Sequence, residues 1–331
     1  PTETADKVMK ELNPTSYPLL RNLSDVSGLM RTGQLTLDLG FGLLQGAMIA
    51  MNAPHKWAKA AFWSLRALAD PDVRWQYLKG AEDVLNHFGG ALQISSPEFL
   101  EAFGKGGIAT RLVAKGPPVV GGIFKNTFGR FTASFEMFFD VARIEMAKGY
   151  LPLIKAGKVT ASDVASFVNK MSGITSSRAL GVGLTQRELE STFFFLAPRY
   201  TRATAGLFVD IAAGGWKGRE AAKSLSLFFG GTVALYAGLA TALGKPVYLD
   251  PRPKEQGGDG NLFMTMEVGG QHLGLGGKPY SVARAMAKMA SDPMQAHVYA
   301  ARWLRSNGAP LATAATDIIT GKDFIGDPVR S

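Results

Sequence analysis

Apolar and polar positions follow a helical period over most of the chain. Residues 2–12 read as a short amphipathic helix stopped by Asn13-Pro14, and a second helix follows over 17–30. An apolar run over 39–54, interrupted only by Gln45 and Asn52, carries Gly42, Gly46 and Ala50 at four-residue spacing. It is too short to cross a bilayer comfortably, so it predicts a packed helix. Residues 53–68 predict an amphipathic helix with Trp57, Phe62 and Leu65 on one side and Lys56, Lys59 and Arg66 elsewhere. Asp70-Pro71 offers an N-cap and a first-turn proline for the next helix. Residues 89–122 are dense in Gly and Pro and read as a loop, with one short helix begun at Ser95-Ser96-Pro97-Glu98. Then Phe124, Phe128, Phe131, Phe135, Phe138, Ala142 and Met146 recur at three- and four-residue steps, the mark of a core-facing stripe. Arg130, Glu136, Arg143 and Lys148 fall on other faces, and the near pair Glu136 and Asp140 reads as solvated charge.

Thr160-Ala-Ser-Asp163 predicts a capped helix running to Met171, and another Gly/Ser loop follows it. Over 191–213 an aromatic run meets Pro198, predicting a kinked junction built from Phe194, Pro198 and Arg199. Past Gly214-Gly215 comes the organising stretch of the chain. No charged side chain stands between Lys223 and Lys245, and 224–244 is long enough at helical rise to cross a bilayer core. Gly230, Ala234, Gly238 and Ala242 recur every fourth residue as a second small-residue stripe, suited to close helix packing or association of copies and able to pair with the Gly42 and Gly46 stripe. Three readings follow: a buried core helix, a membrane span, or a helix buried in one state and inserted in another. Lys217, Arg219 and Lys223 at its start are suited to phosphate or lipid contact.

After Gly244 the period changes. Residues 245–253 read as extended, 261–268 and 271–275 as a hairpin turned at Gly269-Gly270, and 280–291, 293–305 and 309–319 as three short helices. The fold class expected is mainly α, a multi-helix bundle with one small β-hairpin near the C-terminus. Residues 1–250 would form an α-helical domain around the apolar helix 224–244, with the hairpin and terminal helices of 251–331 packed on it.

Composition narrows the chemistry. The chain has 331 residues, a net charge of +9 and a pI near 9.6, which favours anionic surroundings such as DNA phosphates or lipid headgroups. Cysteine is absent, which removes thiolate nucleophiles and thiolate metal sites. Charged residues make up only 19% against 46% hydrophobic, as in a chain that buries surface in partners or lipid. The chain begins at Pro1 and is read as a fragment of something longer. No HExxH, no GxSxG and no phosphate-binding glycine loop occurs, and His55, His87, His272 and His297 are scattered. No catalytic residue, metal site or cofactor is therefore expected.

Several stretches together resemble the large polyvalent protein associated domains of very large tailed-phage virion proteins. They are LTLDLGFGLLQGAM, NTFGRFTASFEMFFDVARIEMAKG, ASFVNKMSGITSSRALG, STFFFLAPRYTRATAGLF, YLDPRP and WLRSNGAPLATAATDIITGKDFIGDP, in this order over nearly the whole chain. The resemblance implies part of an internal virion or ejection protein. Such a protein is packaged in the capsid, moves through the tail with the genome and helps build a conduit across the host envelope. It also implies a ring or tube of copies as homo-oligomer, with other virion core, portal or tail proteins, the genome DNA backbone and the host membrane as partners. It supplies no catalytic residues. Two rival readings are an integral membrane protein with 224–244 spanning, and a domain of a virion-packaged enzyme acting on peptidoglycan or nucleic acid.

Overall fold

A computed structural model describes residues 46–94, 118–175, 198–268, 270–274, 278–306, 317–319 and 321; for 118–129, 198–199, 261, 268, 271, 273, 278–280 and 283 it describes the backbone alone. The expected elements over 2–12, 17–30 and 95–98, and most of 309–319, lie outside the described residues.

Two short-spaced helices open the described chain. Helix α1 (Ala47–Asn52) ends at Ala53, whose φ of −150° breaks the helical path, and Pro54 restarts it as the first residue of α2 (Pro54–Ala69). The face α2 buries is a small one, Ala60, Ser64 and Ala67, whereas Phe62 and Leu65 point outward. This differs from the face expected around Trp57, Phe62 and Leu65. Small side chains win because they let α2 approach the long helix α5 (Pro118–Lys148) closely: Ser64 Oγ lies 2.8 Å from both the carbonyl and the hydroxyl oxygen of Ser134. Of the expected face only Trp57 packs inward, edge-on to Phe138 at 6.3 Å.

Asp70 does not cap the next helix. Its Oδ1 accepts from Asp72 N–H at 3.0 Å, holding a turn, so α3 (Val73–Gly80) starts three residues on. Helix α4 (Glu82–Phe88) ends at Gly89, in the left-handed region. Helix α5 begins at Pro118 and takes in Gly121 and Gly122, which the sequence placed in a loop. A first-turn proline suits a helix start, and about 1 kcal/mol per internal glycine does not stop a helix of 31 residues.

The short α6 (Leu151–Lys155) leads to α7 (Ala161–Met171), where Thr160 Oγ1 accepts the Asp163 N–H at 3.1 Å, the expected cap. Tyr150, Phe167 and Trp216 meet edge to face with centroids 5.3–6.0 Å apart, joining the start of α6 and α7 to the segment that carries Trp216. Helix α8 (Pro198–Ala213) and α9 (Gly215–Ala242) form a hairpin through Gly214 and Gly215, both at positive φ. Lys170 Nζ reaches both carboxylate oxygens of Asp210 at 2.7 Å, tying α7 to α8.

Beyond α9 the chain runs extended over 245–253, passes two 3-10 turns (Lys254–Gln256 and Gly260–Leu262) and reaches a short antiparallel ladder, β1 (Thr265–Val268) on β2 (Gln271–Gly274), in the register Thr265↔Gly274 to Val268↔Gln271. Helices α10 (Lys278–Ser291) and α11 (Ala296–Ser306) follow, with Trp303 Nε1 donating to Ser281 Oγ at 2.9 Å between them. Among the described residues the fold is mainly α, with one small sheet toward the C-terminal end.

Tyr200 lies over Gly173, where an added Cβ would stand 2.0 Å from Tyr200 Cδ2 on a backbone at φ +76°. Gly173→Ala is expected to lower unfolding free energy by about 2–4 kcal/mol, combining an overpacked site with a left-handed non-glycine residue. Gly89→Ala, at φ +52° in open space, should lose only about 1–2 kcal/mol. Urea unfolding of the two variants checks the difference.

Candidate functional site: a buried ion network and an outward apolar helix

From Ser224 onward helix α9 carries no charge on any side, yet its two sides meet different surroundings. Inward, Ala221, Leu225, Phe228, Thr232, Tyr236 and Ala240 are buried. Met51 of α1 sits against Gly231, where a Cβ would come within 2.9 Å of its sulfur, and Asn52 Nδ2 donates to Ser224 O at 3.0 Å. The Tyr236 hydroxyl donates to Thr265 O at 2.9 Å and accepts from Tyr248 N–H at 2.7 Å, so one buried phenol pins both the extended segment and β1 to the helix. Outward, Leu227, Leu235, Leu239 and Leu243 are exposed, and the small residues Gly230, Ala234, Gly238 and Ala242 lie exposed with them. A Cβ at Gly230 or Gly238 would meet nothing within 4 Å.

The small-residue stripe singled out in the sequence is thus not where the chain packs on itself. Helix α1 does meet α9, but at Ser224 and Gly231, to one side of the stripe, because the bulky edge of Leu225, Phe228 and Tyr236 removes more apolar surface from water. Gly46 is buried at the start of α1, and Gly42 lies outside the described residues. Of the junction residues, Phe194 lies outside them too, and the backbone of Pro198 and Arg199 forms the first turn of α8. Of the basic residues at the start of α9, Lys217 pairs with Asp163 at 3.2 Å, while Arg219 and Lys223 are exposed.

The second feature is one the sequence reading missed. Glu136 and Asp140 are not solvated: they are 7% and 0% exposed, and Arg143 is 1% exposed. Arg74 of α3 bridges the two carboxylates, its Nη1 2.7 Å from Glu136 Oε2 and its Nη2 2.9 Å from Asp140 Oδ2. Arg143 meets the other oxygen of Asp140 at 3.2 Å, donates through Nε to Ser172 Oγ at 2.8 Å, and through Nη1 to Gln93 O at 3.0 Å. Asn169 extends the network, accepting from Gln93 N–H and donating to Ala91 O. Burial pulls the Arg143 guanidinium down to about 10, against the support of Asp140. Burial also raises the Glu136 carboxyl; Arg74 opposes that and Asp140 adds to it, and Glu136 Oε1 is buried with no hydrogen-bond partner. The overlooked signal was the spacing 136, 140, 143, which places these groups on one face of a helix whose other faces are already apolar.

A second carboxylate, Glu145, accepts from Tyr77 Oη at 2.9 Å and Lys148 Nζ at 2.8 Å and pairs with Lys59 at 3.1 Å. Burial pushes its carboxyl up, but the hydrogen bonds from Lys148, Tyr77 and Lys59 outweigh that and hold it below the ordinary range. Burial, with the carboxylate beside it, raises the Tyr77 hydroxyl. These arrangements clamp helices together. Asp140 and Glu136 are buried, and among the described residues no three His, Asp or Glu side chains converge to hold a metal. Comparison of the chain with protein-family models, with curated proteins and with solved structures finds no match.

Two measurements check this electrostatic account. Asp140→Ala removes the shared acceptor of two buried guanidinia and is expected to cost about 3–5 kcal/mol in chemical denaturation. For Glu136 the sign follows from its raised pKa. The folded state holds the proton more tightly than the unfolded chain, so the stability this group contributes is present below about pH 4.5 and lost as pH rises through the folded pKa. Relative to Glu136→Gln, the wild type should therefore lose stability as pH rises from 4.5; parallel pH profiles would contradict the assignment.

Proposed function

We propose that the chain is a structural, non-enzymatic module of an internal virion protein of a tailed phage, one that helps form the conduit for genome delivery across the host envelope. The sequence resemblance supplies the phage context. The structural observation that carries the reading is α9: a helix with no charge between Lys223 and Lys245, fixed to the core along one side and bare along the other. A helix apolar all round is a helix to be covered. Here only 28% of its most apolar window is buried, so the chain offers a rigid apolar surface to something outside itself. The net charge of +9 suits work beside packaged DNA and anionic envelope lipids. In this reading copies assemble as a ring or tube with other core, portal or tail proteins.

A second reading, α9 as a permanent span, draws on its length of 28 residues, about 42 Å at helical rise. The inward tethers through Asn52 and Tyr236 weigh against it, since a helix surrounded by lipid would have to give them up.

The test follows the chain through infection. Its peptides are expected in purified virions, shielded from added protease until ejection is triggered, and in the host envelope fraction afterwards. Mass spectrometry that finds none in purified particles would sink the proposal.

A further inference from the structure

We propose that the outward face of α9 docks lengthwise on an anionic lipid leaflet, with the helix axis in the plane of the membrane. This deepens the reading of α9 as the surface the chain turns outward. The face consists of Leu227, Gly230, Ala234, Gly238 and Ala242, with Leu235, Leu239 and Leu243 exposed along one edge of it, and apolar exposure continues past the helix at Val247 and Leu249. No carboxylate lies between Glu220 and Asp250, and Asp250, which follows Leu249, is paired with Arg252. The one acid of α9, Glu220, accepts from the Tyr150 hydroxyl at 3.0 Å, back toward α6. Exposed cations stand at both ends: Arg219 and Lys223 before the face, and Lys245 after it, held at the helix terminus by its N–H bond to Ala240 O at 2.8 Å.

That charge pattern chooses the occupant. A second copy of the same helix is a poor cover. Lys223 and Lys245 each lie eleven residues from Ala234 (234 − 223 and 245 − 234), so an antiparallel pair centred on Ala234 sets Lys223 of one copy against Lys245 of the other. A parallel pair sets each lysine against its own counterpart. Both arrangements bring like charges together at both ends of an apolar seam, whereas anionic headgroups neutralise them. The orientation follows from the tethers. Tyr236 is bonded to Thr265 and Tyr248, Asn52 to Ser224, and Phe228 is fully buried, so the inward half of the helix stays with the protein. Only the outer half is available to the leaflet, the geometry of an interfacial helix.

The absence of cysteine makes the test direct. Nitroxide labels on Leu227→Cys, Ala234→Cys and Ala242→Cys, which share one side of the helix, report depth, with Lys158→Cys as an aqueous control, in vesicles of phosphatidylglycerol and of phosphatidylcholine. The expected result is binding to phosphatidylglycerol alone, with all three sites at one shallow depth. Combined Lys223→Glu and Lys245→Glu should weaken binding at least about tenfold, from the attraction each lysine contributes near an anionic surface. A depth gradient from 227 to 242, on the order of 22 Å at helical rise, would mean a span and overturn the proposal. Labels that stay aqueous with vesicles, or that couple between copies in solution without lipid, would overturn it too. The phage reading fails separately. A chain that docks on vesicles but is missing from virions leaves the docking inference standing, and a virion component whose three labels stay aqueous does the reverse.

Discussion

Asp140 is the charge on which the described core depends. A wholly buried carboxylate is tolerated only when its lone pairs are taken up, and here Arg74 occupies one oxygen and Arg143 the other. The two guanidinia come from different places and bring different parts of the chain with them. Arg74 carries α3, while Arg143 fixes Gln93 and Ser172, and with them the segment after α4 and the end of α7. Three separate stretches are thereby set around α5 by hydrogen bonds whose geometry is far more directional than apolar contact.

Apolar packing fills the remainder. The small face of α2 lies close on α5, the Tyr150, Phe167 and Trp216 cluster joins α6, α7 and α9, and Met51 closes α1 onto α9. A polar clamp specifies one arrangement, and the hydrophobic contacts stabilise whatever arrangement it specifies. The proposed function leans on this division. A surface that must present an apolar helix outward needs a scaffold that does not collapse around it, and directional bonds behind α9 provide one.

Much of the fold was legible in the sequence because its signals are local. The α7 cap reads directly from Thr160 and Asp163, the hairpin from alternation around Gly269-Gly270, and α9 from a charge-free run bounded by lysines. What failed were judgements about which face points inward. For α2 the apolar residues Phe62 and Leu65 were the natural choice, but closeness of approach to α5 selected alanine and serine. For α5 the charges were assigned to water, although Arg74, sixty-six residues before Asp140, waited to neutralise them. Period tells that a helix has faces; only tertiary partners decide which is interior. The same holds for the Gly230 stripe, whose spacing announces close approach without saying to what.

Three contacts along α9 also fix how it is rolled about its own axis. Near its start, Gly218 lies so close to α8 that a Cβ would come 2.6 Å from Asp210 O; at mid-length Gly231 rests on Met51; further on, Tyr236 is bonded at both lone pair and proton. The two apolar sides of this helix are nearly interchangeable in chemistry, and a free helix would turn without preference. Anchored at three heights, it behaves as a keyed shaft, so the direction in which the outer leucines face is a fixed property of the whole molecule.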